Sequence, residues 1–351
     1  MLEPSREPVA CLIVSRNFGD AVIQSGFMKS LVARQYAVRY LVWTRPETAF
    51  LFRDIPLCEI ECSHFPVGTR KEFDLREAFR FFRAAWRIRR HAPSVSIDLI
   101  GDVRERIFAR LAGSRRHLHI GWAKAHPFAR IIRNPFGKGA PLITIPVQTI
   151  NVYSAYRLML DALAPGGKES EMGAVQAVDD NTDRRATLRV GLHPFASQEC
   201  KLWPAENWQQ LICRLLEDGV EIWAFGAPRD RQALVRLLGN SCAQVRVVTE
   251  SIERFATELR KIDVLVGLDS FAVHLAWREG VRSIMINAGN PPDFWCVPGS
   301  GSVLASSGGC SHYPCFNTPR CKGTAEEYAC VKAISVAQVL QSVKSVMKLS
   351  Q

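Results

Sequence analysis

The chain has 351 residues, of which 47% are hydrophobic and 23% are charged, and its formal net charge is +11. This length suits two domains of about 150 to 170 residues each, with enough apolar material to build their cores without metal or disulfide support. No apolar run approaches the roughly 20 residues of a membrane span, and the N-terminus lacks the features of a secretory signal, so we expect a cytoplasmic protein.

The positive charge is concentrated in the N-terminal half. Between Arg70 and Arg133 there are 16 lysines and arginines against 6 acidic residues, a net of +10. A basic region this dense favours an anionic partner, which is a phosphorylated lipid, a membrane surface or a nucleic acid. No nucleic-acid-binding motif accompanies it, which counts against the third partner.

The N-terminal half begins with a strand, a turn and a helix. Residues 9–14 form a continuous apolar run typical of a buried parallel strand, and a helical pattern follows over 21–34. Asp20 lies between them, where it either caps that helix or projects from the carboxyl end of the strand. Strands at 38–42 and 96–101 continue the alternation that predicts a parallel sheet.

A predicted helix over 73–90 carries two unlike stripes. Its arginines recur at steps of four and three and share one face: Arg76, Arg80, Arg83, Arg87 and Arg90. Beside them, Phe79, Phe82 and Trp86 form an apolar stripe. Either the helix lies on an anionic membrane surface, or the aromatic stripe docks on the sheet while the arginines face water. Guanidinium groups suit phosphate, so the first four arginines are also candidate ligands for substrate phosphates.

The C-terminal half repeats the strand and helix alternation. Residues 166–186 are polar and poor in large apolar side chains, which predicts a linker between domains at 1–165 and 187–334, with a closing helix in 335–351. The predicted strands are 188–192, 220–225, 245–248, 264–267 and 283–287. We therefore expect an α/β protein of two Rossmann-like domains whose parallel sheets face each other across a ligand cleft.

A polar loop after the 188–192 strand is the first candidate anion site. It contains Ser197 and Lys201, and Pro204 follows at the start of the next helix. Such a loop can present backbone N–H groups and a point charge to a diphosphate. The simpler interpretation of Lys201 is a plain surface lysine.

The second candidate anion site lies where a strand ends at Asp269 and a helix begins at Ser270 or Phe271. The N–H groups near Ser270–Ala272 and the helix dipole attract an anion there. His274 follows one turn later and can reach the same pocket. The alternatives are that Asp269 is only an N-cap and that His274 is a structural residue.

Four of the 11 cysteines cluster near the C-terminus, with four, five and eight residues between them. They are Cys310, Cys315, Cys321 and Cys330. Without a C-x-x-C pair, this spacing is a weak metal signature. A structural zinc or iron site and free thiols in an ordered loop both fit, and free thiols are the default in a reducing compartment.

Together these segments resemble glycosyltransferase family 9, the lipopolysaccharide heptosyltransferases. The His-Pro-Gly-Ala-Ser loop of the family corresponds to 193–197, its Lys-x-Trp-Pro element with a later Trp to 201–208, and its Asp-Thr-Gly-x-x-His element to 269–274. A Gly-Asp pair after the first strand corresponds to Gly19 and Asp20, and Gly289-Asn290-Pro291-Pro292 with Pro298 matches a later proline-containing loop.

Three positions depart from the family pattern. Phe195 and Phe271 stand where the family has glycine, and Ser270 replaces a threonine. A glycine beside the diphosphate lets the ligand approach closely. The phenylalanines therefore leave three alternatives open: a different donor, a capsule or protein acceptor, or an inactive binding protein whose pocket Phe271 blocks.

The resemblance implies a GT-B arrangement and inverting transfer of heptose from ADP-heptose to a growing lipopolysaccharide core. It implies that Asp20 is the catalytic base, that Lys201 and Ser270 stabilise the leaving diphosphate, and that Asp269 and His274 order the donor. No catalytic metal is implied, because a lysine and a helix start can supply the positive charge. The expected partners are a nucleotide sugar, a phosphorylated glycolipid or glycan, and the anionic inner membrane, contacted peripherally.

Overall fold

The computed structural model describes residues 9–14, 18–66, 74–101, 103–123, 141–146, 150–166, 187–297, 301–316 and 318–348. The chain divides into two compact units, Met1–Gly173 and Ala174–Gln351. Residues 167–186, nearly all of the predicted linker, lie outside the described residues, as does Pro298. The predicted domain bounds therefore stay a prediction.

The first unit contains a six-stranded parallel sheet. Its strands are β1 (Val9–Val14), β2 (Arg39–Thr44), β3 (Cys58–Cys62), β4 (Val95–Asp98), β5 (Arg116–Ala123) and β6 (Ile143–Pro146). Its helices are α1 (Phe18–Ala33), α2 (Leu75–Arg90), α3 (Val103–Leu111) and α4 (Val152–Leu163). The spatial order is β3-β2-β1-β4-β5-β6, and all neighbours are parallel. This is the strand order of a Rossmann sheet.

The second unit has the same strand order on its own sheet. Its strands are β7 (Arg189–His193), β8 (Glu221–Phe225), β9 (Val245–Val248), β10 (Val264–Leu268), β11 (Arg282–Ile286) and β12 (Gly301–Leu304). Its helices are α5 (Ala205–Glu217), α6 (Arg231–Leu238), α7 (Ile252–Leu259), α8 (Phe271–Arg278), α9 (Ala329–Lys332) and α10 (Val336–Lys348). The order β12-β11-β10-β7-β8-β9 is parallel throughout. Both predicted Rossmann-like sheets are thus confirmed.

Large aromatic side chains hold the helices on each sheet. In the first unit, Trp43 of β2 stacks on Phe108 of α3 with ring centroids 4.0 Å apart. In the second unit, Trp203 and Trp208 pack edge to face at the start of α5, and Nε1 of Trp203 donates to the carbonyl oxygen of Ile334 at 2.8 Å. The last bond ties the loop before α5 to the segment that leads into α10.

Most predicted bounds differ from the structure by one or two residues, and two differences bear on the edge of the sheet that carries Asp20. Helix α1 begins at Phe18, so Asp20 lies in its first turn and is not the cap of a helix starting at residue 21. The strand predicted over 96–101 ends at Asp98, because Oδ1 of Asp98 accepts the N–H groups of Ile100 (2.8 Å) and Gly101 (2.7 Å) and turns the chain. Gly101 adopts a positive φ of 74° in this turn, which glycine does without strain.

None of the helices in the described ranges combines the length and the hydropathy that crossing a membrane requires.

Candidate active site

The carboxyl ends of β7 and β10 bring the two candidate anion-binding segments together. These strands are neighbours, with His193 opposite Gly267, so the loops that follow them meet at one edge of the sheet. There Nζ of Lys201 donates to Oδ2 of Asp269 at 2.8 Å and to its carbonyl oxygen at 3.2 Å. The Lys201 side chain is only 12% exposed, so it is not a plain surface lysine.

Asp269 is the centre of a polar network in the interior. Its Oδ2 also accepts a hydrogen bond from Nδ2 of Asn290 at 2.8 Å. The carbonyl oxygen of Asn290 accepts hydrogen bonds from Nδ2 of Asn287 at 2.8 Å and from the hydroxyl of Tyr313 at 2.7 Å. A carboxylate removed from water needs such donors. The network therefore holds the Lys201 ammonium at the sheet edge, a task that goes beyond an N-cap.

Helix α8 begins directly after Asp269, with Ser270 as its N-cap residue. The Ser270 hydroxyl makes no capping bond, and its Oγ lies 3.4 Å from Nδ1 of His193. Ala272, in the first turn, is fully buried. The amino end of α8 and the Lys201 ammonium are thus placed together, and both favour an anion at this edge.

His193 is enclosed by aromatic rings. The ring centroids of Phe195, Phe255 and Phe271 lie 5.9, 5.7 and 5.4 Å from its own, all close to perpendicular. Burial lowers the pKa of His193 to about 4, so the imidazole is neutral at pH 7. A neutral ring fits an apolar cage and still offers Nδ1 to the Ser270 hydroxyl.

The two phenylalanines that depart from the family pattern both belong to this aromatic cluster. Phe195 rests on Gly226, where an added Cβ would lie 3.0 Å from the Phe195 ring. Phe271 packs on Phe255 as well, with centroids 5.5 Å apart. The two departures therefore fill space on the same imidazole, and we interpret them as one coupled change in packing.

His274 lies beside the Lys201–Asp269 pair. Burial lowers its pKa to about 4, the Asp269 charge acts to raise it and the Lys201 charge acts to lower it further. Its ring meets that of Trp295 edge-on, with centroids 5.9 Å apart. His274 is neutral at pH 7 and lies within electrostatic range of both charges. Ser197, in contrast, is exposed in the loop after β7.

In the first unit, Asp20 is half-buried in the first turn of α1. Burial raises the pKa of Tyr156, and the charges of Asp20, Glu105 and Asp98 raise it further. Asp98 ends β4, the neighbour of β1, and both Asp98 and Glu105 are fully buried. Asp20, Asp98 and Glu105 therefore all lie within electrostatic range of Tyr156, and Asp20 stands at the carboxyl edge of the sheet because α1 follows β1 in the chain.

The predicted phosphate-binding arginines are exposed on α2. Arg80 pairs with Glu77 at 2.6 Å and Arg87 with Glu61 at 3.3 Å, while Arg76 and Arg83 form no ion pair with another described residue. The helix docks on the sheet through a different set of side chains, which are Ala78, Phe81, Ala84, Ala85 and Ile88. The interpretation that Phe79, Phe82 and Trp86 dock on the sheet is therefore wrong.

The four C-terminal cysteines do not form a metal site in this structure. Within the described residues, no three His, Cys, Asp or Glu side chains are grouped as metal ligands. Cys310, Cys315, Cys321 and Cys330 are thiols, and the last two are buried. Burial raises the pKa of Cys330, which also keeps it protonated. The physical reason is that their spacing lacks a close pair of cysteines.

Sequence reasoning left out three members of the site: His193, Asn290 and Tyr313. His193 and Asn290 lie in segments that carry the family resemblance, which was the available signal. Nothing in the sequence pairs Asn290 with a carboxylate 21 residues earlier, or brings Tyr313 from the cysteine-rich segment to the same network.

A protein-family model matches part of this chain. The model of Glycosyltransferase family 9 (heptosyltransferase) matches residues 157–325. That range contains the whole network around Asp269 and the aromatic cluster around His193. The predicted resemblance is confirmed.

Solved structures share the fold at low sequence identity. Heptosyltransferase WaaC of E. coli, solved with ADP-2-deoxy-2-fluoro heptose, is 16% identical over 96% of this chain and 99% of its own, with a TM-score of 0.69. A glycosyl transferase family 9 protein from Veillonella parvula DSM 2008 is 14% identical over 97% of both chains, with a TM-score of 0.72.

A third structure is that of the iron-containing dodecameric glycosyltransferase TibC from enterotoxigenic E. coli H10407. It is 14% identical over 100% of this chain and 78% of its own, with a TM-score of 0.59. Among curated proteins, none matches this sequence. The expected fold class, α/β with two Rossmann-like domains as in GT-B transferases, is confirmed.

Proposed function

We propose that this chain, whose residues 157–325 match the model of glycosyltransferase family 9, transfers heptose from ADP-heptose to a lipopolysaccharide core or a related cell-surface glycan, with inversion. The observation that carries the proposal is the buried Lys201–Asp269 pair at the amino end of α8. Support for the donor comes from WaaC, which has the same fold and was solved with an ADP-linked fluoro heptose.

In this proposal the donor diphosphate lies at the start of α8. Lys201 donates two of its three N–H groups to Asp269, and the third is directed to a phosphate oxygen. Ser270 and the backbone N–H groups of residues 270–272 add hydrogen bonds to the charge that develops on the leaving group. Asp269 and His274 act by holding Lys201 and the helix start in place, and Ser197 and Phe271 border the donor.

Asp20 is the base of the proposed reaction. It accepts the proton of an acceptor hydroxyl as the hydroxyl oxygen bonds to the anomeric carbon of heptose. The bond from that carbon to the phosphate oxygen breaks on the opposite face, and ADP leaves with the electron pair. The positive charge that this step needs comes from Lys201 and the α8 dipole, so no step is assigned to a cation.

The acceptor in this proposal is a phosphorylated glycolipid, and the protein works on the cytoplasmic side of the inner membrane. The arginines of α2 are the proposed contacts to the acceptor phosphates: Arg76, Arg80, Arg83 and Arg87. Their guanidinium groups are exposed and can bind phosphate oxygens in a bidentate manner.

The donor assignment is tested by nucleotide binding. A thermal-shift screen followed by calorimetry would compare ADP, ADP-heptose, UDP and GDP on the wild type, Lys201→Ala and Lys344→Ala. Lys344 pairs with Asp218 at an exposed position of the same unit and serves as the control. We expect ADP and ADP-heptose to raise Tm and Lys201→Ala to weaken their binding at least about tenfold, since a hydrogen bond to a charged group contributes about 1.5–3 kcal/mol.

Two results would contradict the assignment. If ADP and ADP-heptose do not bind, the donor is wrong, and a preference for UDP or GDP would indicate another nucleotide sugar. If Lys201→Ala binds ADP as tightly as Lys344→Ala does, the diphosphate does not lie at the start of α8.

A further inference from the structure

Helix α2 has an exposed apolar stripe that is distinct from the face that it buries. Leu75, Phe79, Phe82 and Trp86 are spaced by four, three and four residues and so share one face, which we call the α2 stripe. Their exposed fractions are 77%, 68%, 54% and 57%. Four of the nine large apolar side chains exposed in the described part of the chain lie on this one helix. A contiguous exposed apolar patch of this kind marks an interaction surface.

Arginines border the α2 stripe on the same helix. Arg76, Arg80, Arg83, Arg87 and Arg90 are all exposed. The guanidinium of Arg90 lies over the Trp86 ring, 5.0 Å from its centroid. Acidic neighbours offset only part of this charge, because Glu77 and Glu61 pair with Arg80 and Arg87 while Arg76 and Arg83 have no such partner among the described residues. The surface therefore combines an exposed apolar stripe with a cationic row along one side of it.

The α2 stripe begins at the edge of the sheet that carries Asp20. A crossover helix starts where the preceding strand ends and runs back against the strand direction. Accordingly, Oε2 of Glu77 in the first turn of α2 accepts the N–H of His64, two residues past the end of β3, at 3.3 Å. The carboxyl ends of β1 and β3 lie at the same edge of one parallel sheet.

We infer that the α2 stripe inserts into the headgroup region of an anionic lipid bilayer while the bordering arginines bind its phosphates. Phe, Leu and Trp favour this interface, and basic residues beside them add electrostatic attraction to acidic lipids. The inference rests on the proposed function only in that the acceptor is lipid-linked, since the bilayer would then present it to the edge with Asp20. A second copy of the chain is a poor occupant, because two surfaces that each carry a row of arginines repel each other.

The test is flotation with vesicles of phosphatidylcholine alone and of phosphatidylcholine mixed with phosphatidylglycerol. We expect the full-length protein to float with the mixed vesicles and only weakly with the neutral ones. The double variants Phe82→Ser/Trp86→Ser and Arg76→Glu/Arg83→Glu should each lose at least about tenfold in vesicle affinity. The controls are Leu158→Ser and Arg229→Glu, which change exposed residues on other elements and should float as the wild type does.

Insertion is tested separately with brominated lipids, which quench tryptophans in the bilayer. Quenching should be present in the wild type and lost in Trp86→Phe, which keeps an apolar ring. Equal flotation of both double variants and the wild type would overturn the inference. So would self-association of the wild type without lipid that Phe82→Ser/Trp86→Ser abolishes, because the stripe would then be an interface between copies. ADP binding, measured on the same variants, should stay unchanged and reports on the proposed function independently.

Discussion

Charged side chains serve opposite purposes in two regions of this molecule. At the start of α8, Lys201 and Asp269 are almost fully buried, and each charge has a partner at 2.8 Å. On α2, the arginines are exposed, and Arg76 and Arg83 have no acidic partner among the described residues. Buried charges must be paired within the protein, whereas exposed unpaired charges are available to an outside partner. The first region is built to hold a fixed geometry and the second to meet another surface.

The largest effect is expected when the proposed base is removed, because the rate of glycosyl transfer should fall while donor binding is kept. In Asp20→Asn the proposed base is lost while the second unit stays intact. We expect the rate of glycosyl transfer to fall by about 100-fold or more, with the Kd for ADP within about twofold of the wild type. Single-turnover kinetics and calorimetry measure the two quantities. Unchanged transfer would remove Asp20 from the mechanism.

The next largest effect is the loss of stability when a buried ion pair is broken, compared with the loss when an exposed one is broken. Asp269→Ala leaves the Lys201 ammonium and the Asn290 amide without their acceptor, which should lower the free energy of unfolding by about 3–5 kcal/mol. Glu217→Ala breaks the exposed pair with Arg214 and should cost about 1 kcal/mol or less. Urea denaturation followed by circular dichroism measures both. Equal losses in the free energy of unfolding would mean that the network around Asp269 stabilises the protein no more than an exposed ion pair does.

The pH dependence of stability probes the same buried region. His193 and His274 have a pKa of about 4 when folded, against an ordinary value of 6.5, so the unfolded chain binds protons first as the pH falls. Stability is therefore unaffected by them above pH 6.5 and should decrease from pH 6.5 towards 4, by on the order of 3 kcal/mol for each histidine.

Denaturation at pH 7 and pH 5 measures how steeply the free energy of unfolding decreases as the pH falls. His274→Gln should have a shallower slope than the wild type, and His312→Gln, at an exposed position, should keep it. Identical slopes in His274→Gln and the wild type would show that His274 does not titrate in this range.

The smallest effect is expected on α2. Arg80→Ala removes an exposed pair with Glu77, three residues earlier on the helix, and should change the free energy of unfolding by about 0.5 kcal/mol or less. Urea denaturation is again the measurement. A loss of several kcal/mol would show that the α2 arginines support the fold rather than an outside contact.

The alternation of apolar runs with helical patterns by itself predicted two α/β domains, and most strands of the second sheet are found within two residues of their predicted positions. That signal is local, because a buried parallel strand is apolar on both faces. It missed β3, β5, β6 and β12. The sequences of β3 and β5, Cys58–Cys62 and Arg116–Ala123, interleave charged or histidine residues with apolar ones, and β6 and β12 have only four residues each. The motif spacing likewise singled out Lys201, Asp269 and His274 before any contact between them was known.

What the sequence could not decide were the partners of these residues and the faces of the helices. Asn290, one partner of Asp269, lies in a loop 21 residues later. Tyr313, which donates to the Asn290 carbonyl oxygen, comes from the cysteine-rich segment. Only the packing of the chain brings these residues together. Helix α2 has two apolar faces, and either could have packed on the sheet. Phe81, the small alanines and Ile88 allow the helix to approach closely, so the larger rings of Phe79, Phe82 and Trp86 remain outside. Periodicity shows that a helix has such stripes, but the shape of the surface beneath it determines which one is buried.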